Sequence, residues 1–285
     1  MKAGQICAVL GAGTMGGGIA QFLATAGCET FLYDIDEEPL VKGLESIRAR
    51  LLRLEEKKKL SREARESVIA RIHPVTDLSS LSHVTCVIEA VVERLEVKRE
   101  LFAGVEKVVD DQAWLATNTS SLSVTEIATV LHRPERMMGL HFFNPAMIMP
   151  LVEVVSGERT DEKVAKQAAE WMSNLGKEAV MVKDTPGFLV NRVARPFHNE
   201  AYRIVGDGVA EKSQVDRILR EAGFPMGPFE LQDLIGIDIN YAASVAVYEG
   251  NFQDPRFRPH PAQRKLVESG ALGRKSGRGH YTYDE

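Results

Sequence analysis

A chain of 285 residues suits one large domain or, as the better starting point, two moderate ones, with enough apolar sequence, at 44%, for real cores. A charged fraction of 26% with ordinary glycine and proline counts excludes a disordered or fibrous protein, and a net charge of -5 disfavours a nucleic-acid binder. Cys7, Cys28 and Cys86 are far apart and lack Cys-x-x-Cys spacing, so they read as buried small residues rather than disulfide partners or zinc ligands. No apolar run is long enough for a membrane span, and the run after Lys2 breaks at Gly11 before it can serve as a signal sequence. A cytoplasmic protein without metal, nucleic-acid or membrane partners is the expectation.

Along the chain, apolar runs of strand length alternate with helical patterns, the mark of a parallel sheet wrapped by helices. The expected strands are Ile6 to Leu10, Thr30 to Tyr33, Val84 to Ala90, Trp114 to Thr117, Met137 to His141, Leu151 to Val155 and Ala179 to Val182. Helix starts are legible where Asp36 precedes Glu37-Glu38, where Ser123 and Glu126 form a capping box, and where Thr160 precedes Asp161-Glu162. Between about 37 and 70, two helical stretches flank Lys57-Lys58-Lys59-Leu60-Ser61 and predict an inserted helical hairpin. After Asp184-Thr185-Pro186-Gly187 strand signals stop, and helical spacing with a Ser213 cap and breaks at Gly223, Gly227 and Gly236 takes over. The expected organisation is α/β: a Rossmann-type dinucleotide-binding domain over 1–186 with the hairpin inserted, then an all-α domain over 187–285.

The first chemical signal is Gly11-Ala12-Gly13-Thr14-Met15-Gly16, following a strand and opening a helix. Gly11 permits the tight turn, Gly13 lets backbone approach a pyrophosphate, and Gly16 lets helix and strand pack closely, with helix N–H groups facing the phosphates. A second strand ends in Asp34, where a carboxylate can accept the hydroxyls of an adenosine ribose and repel a 2′-phosphate. The implied cofactor is NAD rather than NADP.

The second signal is His141 at the end of one strand and Glu153 on the next. A histidine at a strand's carboxyl end can face the ligand crevice of an open α/β sheet, and a neighbouring carboxylate can orient its other ring nitrogen. The same two residues also fit a satisfied core histidine and a surface charge.

Asn118-Thr119-Ser120-Ser121, His141-Phe142-Phe143-Asn144-Pro145, Leu151-Val152-Glu153 and Pro186-Gly187-Phe188-Leu189-Val190-Asn191-Arg192 occur in the order and spacing of one family. Over almost its whole length, through Pro225-Met226-Gly227-Pro228 and Leu272 to Gly279, the chain resembles the 3-hydroxyacyl-CoA dehydrogenases, in particular the bacterial 3-hydroxybutyryl-CoA dehydrogenases. The resemblance implies a catalytic pair at His141 and Glu153, a substrate-contacting Ser120 and a thioester-side Asn191. It implies cofactor contacts at Gly11, Gly13, Gly16, Asp34, Glu93, Lys98 and Asn118. It further implies that Asn144 shapes the site, that Arg53 and Lys57 meet the phosphates of coenzyme A, and that the helical domain forms a homodimer. Arg50, Arg53 and Lys57 do recur on one helix face, which suits a phosphorylated nucleotide better than the alternative of a solvated helix paired with Glu55 and Glu56. His280 departs from the family, which usually carries phenylalanine there, and reads as a packing change.

The expected activity is reversible oxidation of a short-chain (S)-3-hydroxyacyl-CoA, such as 3-hydroxybutyryl-CoA. A dicarboxylic substrate such as 3-hydroxyadipyl-CoA, a free hydroxy or sugar acid, and a non-catalytic NAD-binding protein are the alternatives.

Overall fold

The computed structural model describes residues 5–283, which fall into two compact units divided between Asp184 and Thr185. In the first unit the elements are β1 (Ile6–Leu10), α1 (Thr14–Thr25), β2 (Glu29–Tyr33), α2 (Glu37–Glu56), α3 (Arg62–Ala70), β3 (Ile72–Val75), β4 (Cys86–Glu89) and α4 (Leu95–Val105). They continue with β5 (Trp114–Thr117), α5 (Val124–Ile127), β6 (Met137–Phe142), β7 (Leu151–Ser156), α6 (Glu162–Asn174) and β8 (Glu178–Lys183). The strands form one sheet of eight in the order β3-β2-β1-β4-β5-β6-β7-β8. This is the Rossmann-type α/β arrangement, in which β1 and β4 lie beside each other and the crossover direction reverses at the carboxyl end of β1.

The central strands are apolar up to their carboxyl-terminal residues because helices cover both faces. Cys7, Val9, Cys86 and Ile88 join Ile19, Leu23, Leu140 and Trp171 in a single core. All three cysteines are buried there; contacts with Cys28 and Cys86, together with burial, push the Cys7 thiol up. The long helix α2 buries Leu40, Gly43, Ile47 and Leu51 at helical spacing, and α3 returns beside it with Ser61 capping its start, so the hairpin forms where it was expected.

The sheet departs from the sequence-based expectation in two places. Strand β3 was not anticipated, because Ile72-His73-Pro74-Val75 mixes a proline and a histidine into a short run. Those residues suit the edge it occupies, where one row of backbone groups needs no partner. The sheet is also not wholly parallel: β7 runs antiparallel to β6. The link from Phe142 to Leu151 is too short for the crossover a parallel pair requires, and a return connection is what it permits.

The second unit contains α7 (Val190–Gly206), α8 (Lys212–Glu221), α9 (Pro228–Ile235), α10 (Ile237–Gly250) and α11 (Pro261–Glu268). Ala201, Tyr202, Val215 and Phe229 form its core. His280 packs edge-on against Phe229 at 4.9 Å and shares a 2.9 Å hydrogen bond with the Tyr202 hydroxyl. An imidazole thus fills an aromatic packing position and adds one polar contact. Among the described residues no helix of either unit is long and apolar enough to cross a membrane.

Candidate active site

The carboxyl ends of β1, β2, β4, β5 and β6 gather the candidate residues of the first unit other than Arg53 and Lys57. Gly11 turns out of β1 with φ +98, a conformation that favours glycine, and a Cβ there would sit 2.7 Å from the Ala90 oxygen. A Cβ at Gly16 would lie 1.7 Å from the Gly11 oxygen, so the loop closes only with glycine at both positions. Gly13 stands at the N-cap of α1 with open space around it. Asp34 accepts the backbone N–H of Ala12 at 2.8 Å, which draws the end of β2 against the glycine loop. Open backbone N–H groups at a helix start and a carboxylate beside them fit a dinucleotide's pyrophosphate and adenosine ribose.

A second cluster forms where β4 and β5 end. Glu89, fully buried, accepts from Val91 N–H at 2.7 Å, from Lys98 Nζ at 2.6 Å and from the Thr117 hydroxyl at 2.6 Å. Lys98, only 1% exposed, also lies 3.2 Å from Glu93. One Glu93 oxygen accepts from the Thr119 hydroxyl at 2.6 Å and from the N–H groups of Ser120 at 3.0 Å and Ser121 at 3.2 Å. Burial pushes the Glu93 carboxyl up, but Lys98 and these donors outweigh it and hold it below the usual carboxylate range. Glu93 therefore shapes the backbone that carries Ser120. Asn118 accepts the Phe142 N–H at 2.8 Å, tying this loop to the end of β6.

His141 and Glu153 are cross-strand partners in the β6–β7 register, so their side chains share one face of the sheet. The His141 Nδ1 to Glu153 Oε2 distance is 2.6 Å, and the residues are 5% and 1% exposed. A buried imidazole locked to a buried carboxylate through Nδ1 turns Nε2 into the nitrogen suited to proton exchange. The segment after His141, with exposed Asn144 and a cis Asn144-Pro145 bond, is held by Lys177. The buried Lys177 ammonium donates to the Ala146 and Met149 carbonyls at 2.6 Å each and sits 4.3 Å from the centre of the Phe22 ring in α1.

Arg53 and Lys57 are exposed on α2. Neither is paired with Glu55, which instead lies 2.6 Å from Arg65 of α3. Arg50 is turned away from them toward α1, where it donates to the Gln21 side chain at 2.8 Å. Asn191 belongs to the second unit, as the second residue of α7. Sequence reasoning missed Glu89 and Lys177. A lone acid inside the apolar run Cys86-Val87-Ile88-Glu89 was the signal for the first, whereas Lys177 gave none.

Comparison with known proteins agrees with this layout. Residues 6–185 match the family model for the 3-hydroxyacyl-CoA dehydrogenase NAD binding domain, and residues 187–283 match the model for the C-terminal domain. The chain is 48% identical to 3-hydroxyadipyl-CoA dehydrogenase of Escherichia coli K12, covering 98% of this chain and 59% of that protein. It therefore spans about three fifths of that relative's length. It is 42% identical to a probable 3-hydroxybutyryl-CoA dehydrogenase of Deinococcus radiodurans, covering 96% of this chain and 99% of the relative. The crystal structure of (S)-3-hydroxybutyryl-CoA dehydrogenase from Ralstonia eutropha superposes with a TM-score of 0.93 at 37% identity, covering 99% of each chain.

Proposed function

The chain belongs to the 3-hydroxyacyl-CoA dehydrogenase family, NAD-binding oxidoreductases acting on a CH–OH group, and we propose that it interconverts (S)-3-hydroxyacyl-CoA and 3-oxoacyl-CoA. The observation that carries this reading is the buried 2.6 Å pair of His141 and Glu153 at the carboxyl end of β6, in the unit that bears the glycine loop.

Gly11, Gly13, Gly16, Asp34, Glu93, Lys98 and Asn118 hold the dinucleotide, which when bound supplies the hydride acceptor at its nicotinamide ring. His141 takes the proton of the C3 hydroxyl through Nε2 during oxidation and returns it during reduction. Glu153 fixes the tautomer and stabilises the imidazolium by charge. Ser120 hydrogen-bonds the substrate oxygen and Asn191 positions the thioester carbonyl, while Asn144 shapes the site. Arg53 and Lys57, both unencumbered by Glu55, meet coenzyme A phosphates.

The first unit serves the cofactor, the catalytic pair and the coenzyme A contacts, and the second contributes Asn191 to substrate binding and serves homodimerisation. Exposed Ile218, Phe224, Leu234 and Ile239 on the helical unit support the latter. Light scattering on a sizing column tests it, with a mass near twice 31.5 kDa expected. The cysteine pattern fits a reducing compartment, and we place the enzyme in the cytoplasm. The relatives' names divide between a methyl-ended and a carboxylate-ended acyl group. The deciding assay is NADH oxidation with a panel of 3-oxoacyl-CoA thioesters beside the corresponding free acids. Turnover of the free acids alone transfers the enzyme to a different substrate class, and NADH binding without any turnover removes it from catalysis.

A further inference from the structure

Helix α7 carries Arg195, His198 and Asn199 at i, i+3 and i+4, all buried. Arg195 is 3% exposed. One terminal nitrogen of its guanidinium donates to the Asn240 carbonyl at 2.8 Å and the Ser244 hydroxyl at 3.2 Å, and the other lies 3.5 Å from Asn240 Oδ1. Its Nε has no hydrogen-bond partner, nor have His198 Nδ1 and both amide atoms of Asn199. Among the described residues no carboxylate forms an ion pair with Arg195. Burial lowers its pKa to about 10, which leaves it charged at neutral pH.

Charged groups taken out of water need a counter-charge or a dense set of hydrogen bonds, and a guanidinium cannot escape by losing its proton. Arg136 shows the ordinary solution in this chain: it is buried, donates to the Asp110 carbonyl at 2.6 Å and lies 3.4 Å from Glu106. Arg195 has the carbonyl and the hydroxyl but lacks the anion. The gap in its surroundings is therefore specific in sign, and the unpartnered atoms of His198 and Asn199 mark the same helix face as under-filled.

Arg195 lies one helical turn beyond Asn191, which puts their Cβ atoms about 5–6 Å apart. A carboxylate five carbon–carbon bonds beyond a thioester carbon stands about 6 Å away in an extended chain. With Asn191 at the thioester carbonyl, a chain of that length lying along α7 ends beside the turn that carries Arg195. We propose that Arg195 is a specificity-determining residue that binds the terminal carboxylate of a six-carbon dicarboxylic 3-hydroxyacyl-CoA. The assignment rests on the dehydrogenase reading above and names its substrate class. A methyl-ended chain leaves the guanidinium buried without a counter-charge, so selection comes from both attraction to one substrate and loss with the other.

The test compares 3-oxoadipyl-CoA with 3-oxohexanoyl-CoA, which match in length and differ only at the far end. In NADH oxidation by the full chain, kcat/KM is expected to favour 3-oxoadipyl-CoA by about 10²-fold, the scale of a desolvated charge-assisted contact. Arg195→Met brings that ratio to near one, and Arg195→Lys leaves it between the two. Adipyl-CoA and hexanoyl-CoA, which lack the reacting oxygen, give the same comparison as dissociation constants by calorimetry. If Arg195→Met does not fold, the wild-type ratio and the lysine variant decide. A wild-type ratio at or below one, or a ratio unmoved by the substitutions, overturns the assignment. Turnover of neither thioester overturns the dehydrogenase reading as well, whereas equal turnover of both overturns the Arg195 assignment alone.

Discussion

The two units bury charge in different ways. In the α/β unit Lys98 lies against Glu89, Arg136 against Glu106 and His141 against Glu153. Lys177 is the exception, held by two carbonyls and an aromatic face. In the helical unit the buried charges meet neutral groups. Asp216 accepts the N–H groups of Phe229 and Glu230 at the start of α9 and the Tyr281 hydroxyl. Asp233 takes the N–H groups of His280 and Tyr281 and the Tyr283 hydroxyl. Those two carboxylates are fasteners, one capping a helix and one holding the returning C-terminal segment. Lys98–Glu89 and His141–Glu153 sit toward the carboxyl ends of β4 and β6, whereas Arg136–Glu106 braces the start of β6. Arg195 follows the helical unit's pattern in joining α7 to α10 through the Asn240 carbonyl and the Ser244 hydroxyl, and differs in leaving its Nε without a partner.

If pairing in the α/β unit serves chemistry, its disruption shows first in rate. His141→Gln is expected to lower kcat with 3-oxoacyl-CoA on the order of 10²- to 10⁴-fold while NADH binding, followed by fluorescence titration, survives. A wild-type kcat in that variant at saturation removes His141 from the mechanism. Pairing at Lys98, beside the cofactor, also serves the scaffold, and its disruption shows in stability. Lys98→Met strands Glu89 and should cost about 3–5 kcal/mol in urea unfolding, the range for breaking a buried pair. A loss within about 0.5 kcal/mol, the level of an ordinary surface change, would mean that Glu89 is satisfied without its lysine.

The helical unit should instead register acid. Burial, with Arg195 and His280 nearby, lowers the His198 pKa from 6.5 to about 3. The folded protein holds this imidazole neutral, whereas the unfolded chain protonates it below pH 6.5, so the unfolded state binds more protons in that window. Stability should therefore fall as pH drops from 6.5 toward 3, by about 1.4 kcal/mol per pH unit from this group. His198→Leu should flatten the slope by that amount in denaturant titrations at several pH values, and an unchanged slope would show that His198 does not carry the effect. The smallest change is expected at Asp34, where the carboxylate already bonds the Ala12 N–H. Asp34→Ala should narrow the NAD over NADP preference in kcat/KM by about tenfold, as for one charged contact, and an unaltered ratio would assign discrimination elsewhere.

Much of the α/β unit was legible because its central strands are mostly apolar runs and its first loop obeys a motif with a physical purpose. Errors arose where neighbours compete for the same groups. Thr160 reads as a helix cap, but its hydroxyl donates to the Met137 carbonyl and accepts the Gly157 N–H, leaving Asp161 to cap α6. Ser213 is likewise displaced by Glu211, whose N–H is met by the Gln214 side chain. His141 and Glu153 were visible as a pair, yet the antiparallel direction of their strands was not. Arg195 left no trace, since an arginine in a helical repeat reads as a solvent-facing residue until packing shows otherwise.

The direct opposition of His141 and Glu153 across two neighbouring strands has a practical consequence for redesign. Their meeting is fixed by backbone pairing, which a shift of a single residue would destroy by sending every side chain of the strand to the other face. The segment joining the strands takes no part in that pairing. Apart from Asn144 and the carbonyls that hold Lys177, it can be re-sequenced to reshape the entrance while the proton-handling couple stays where the ladder puts it.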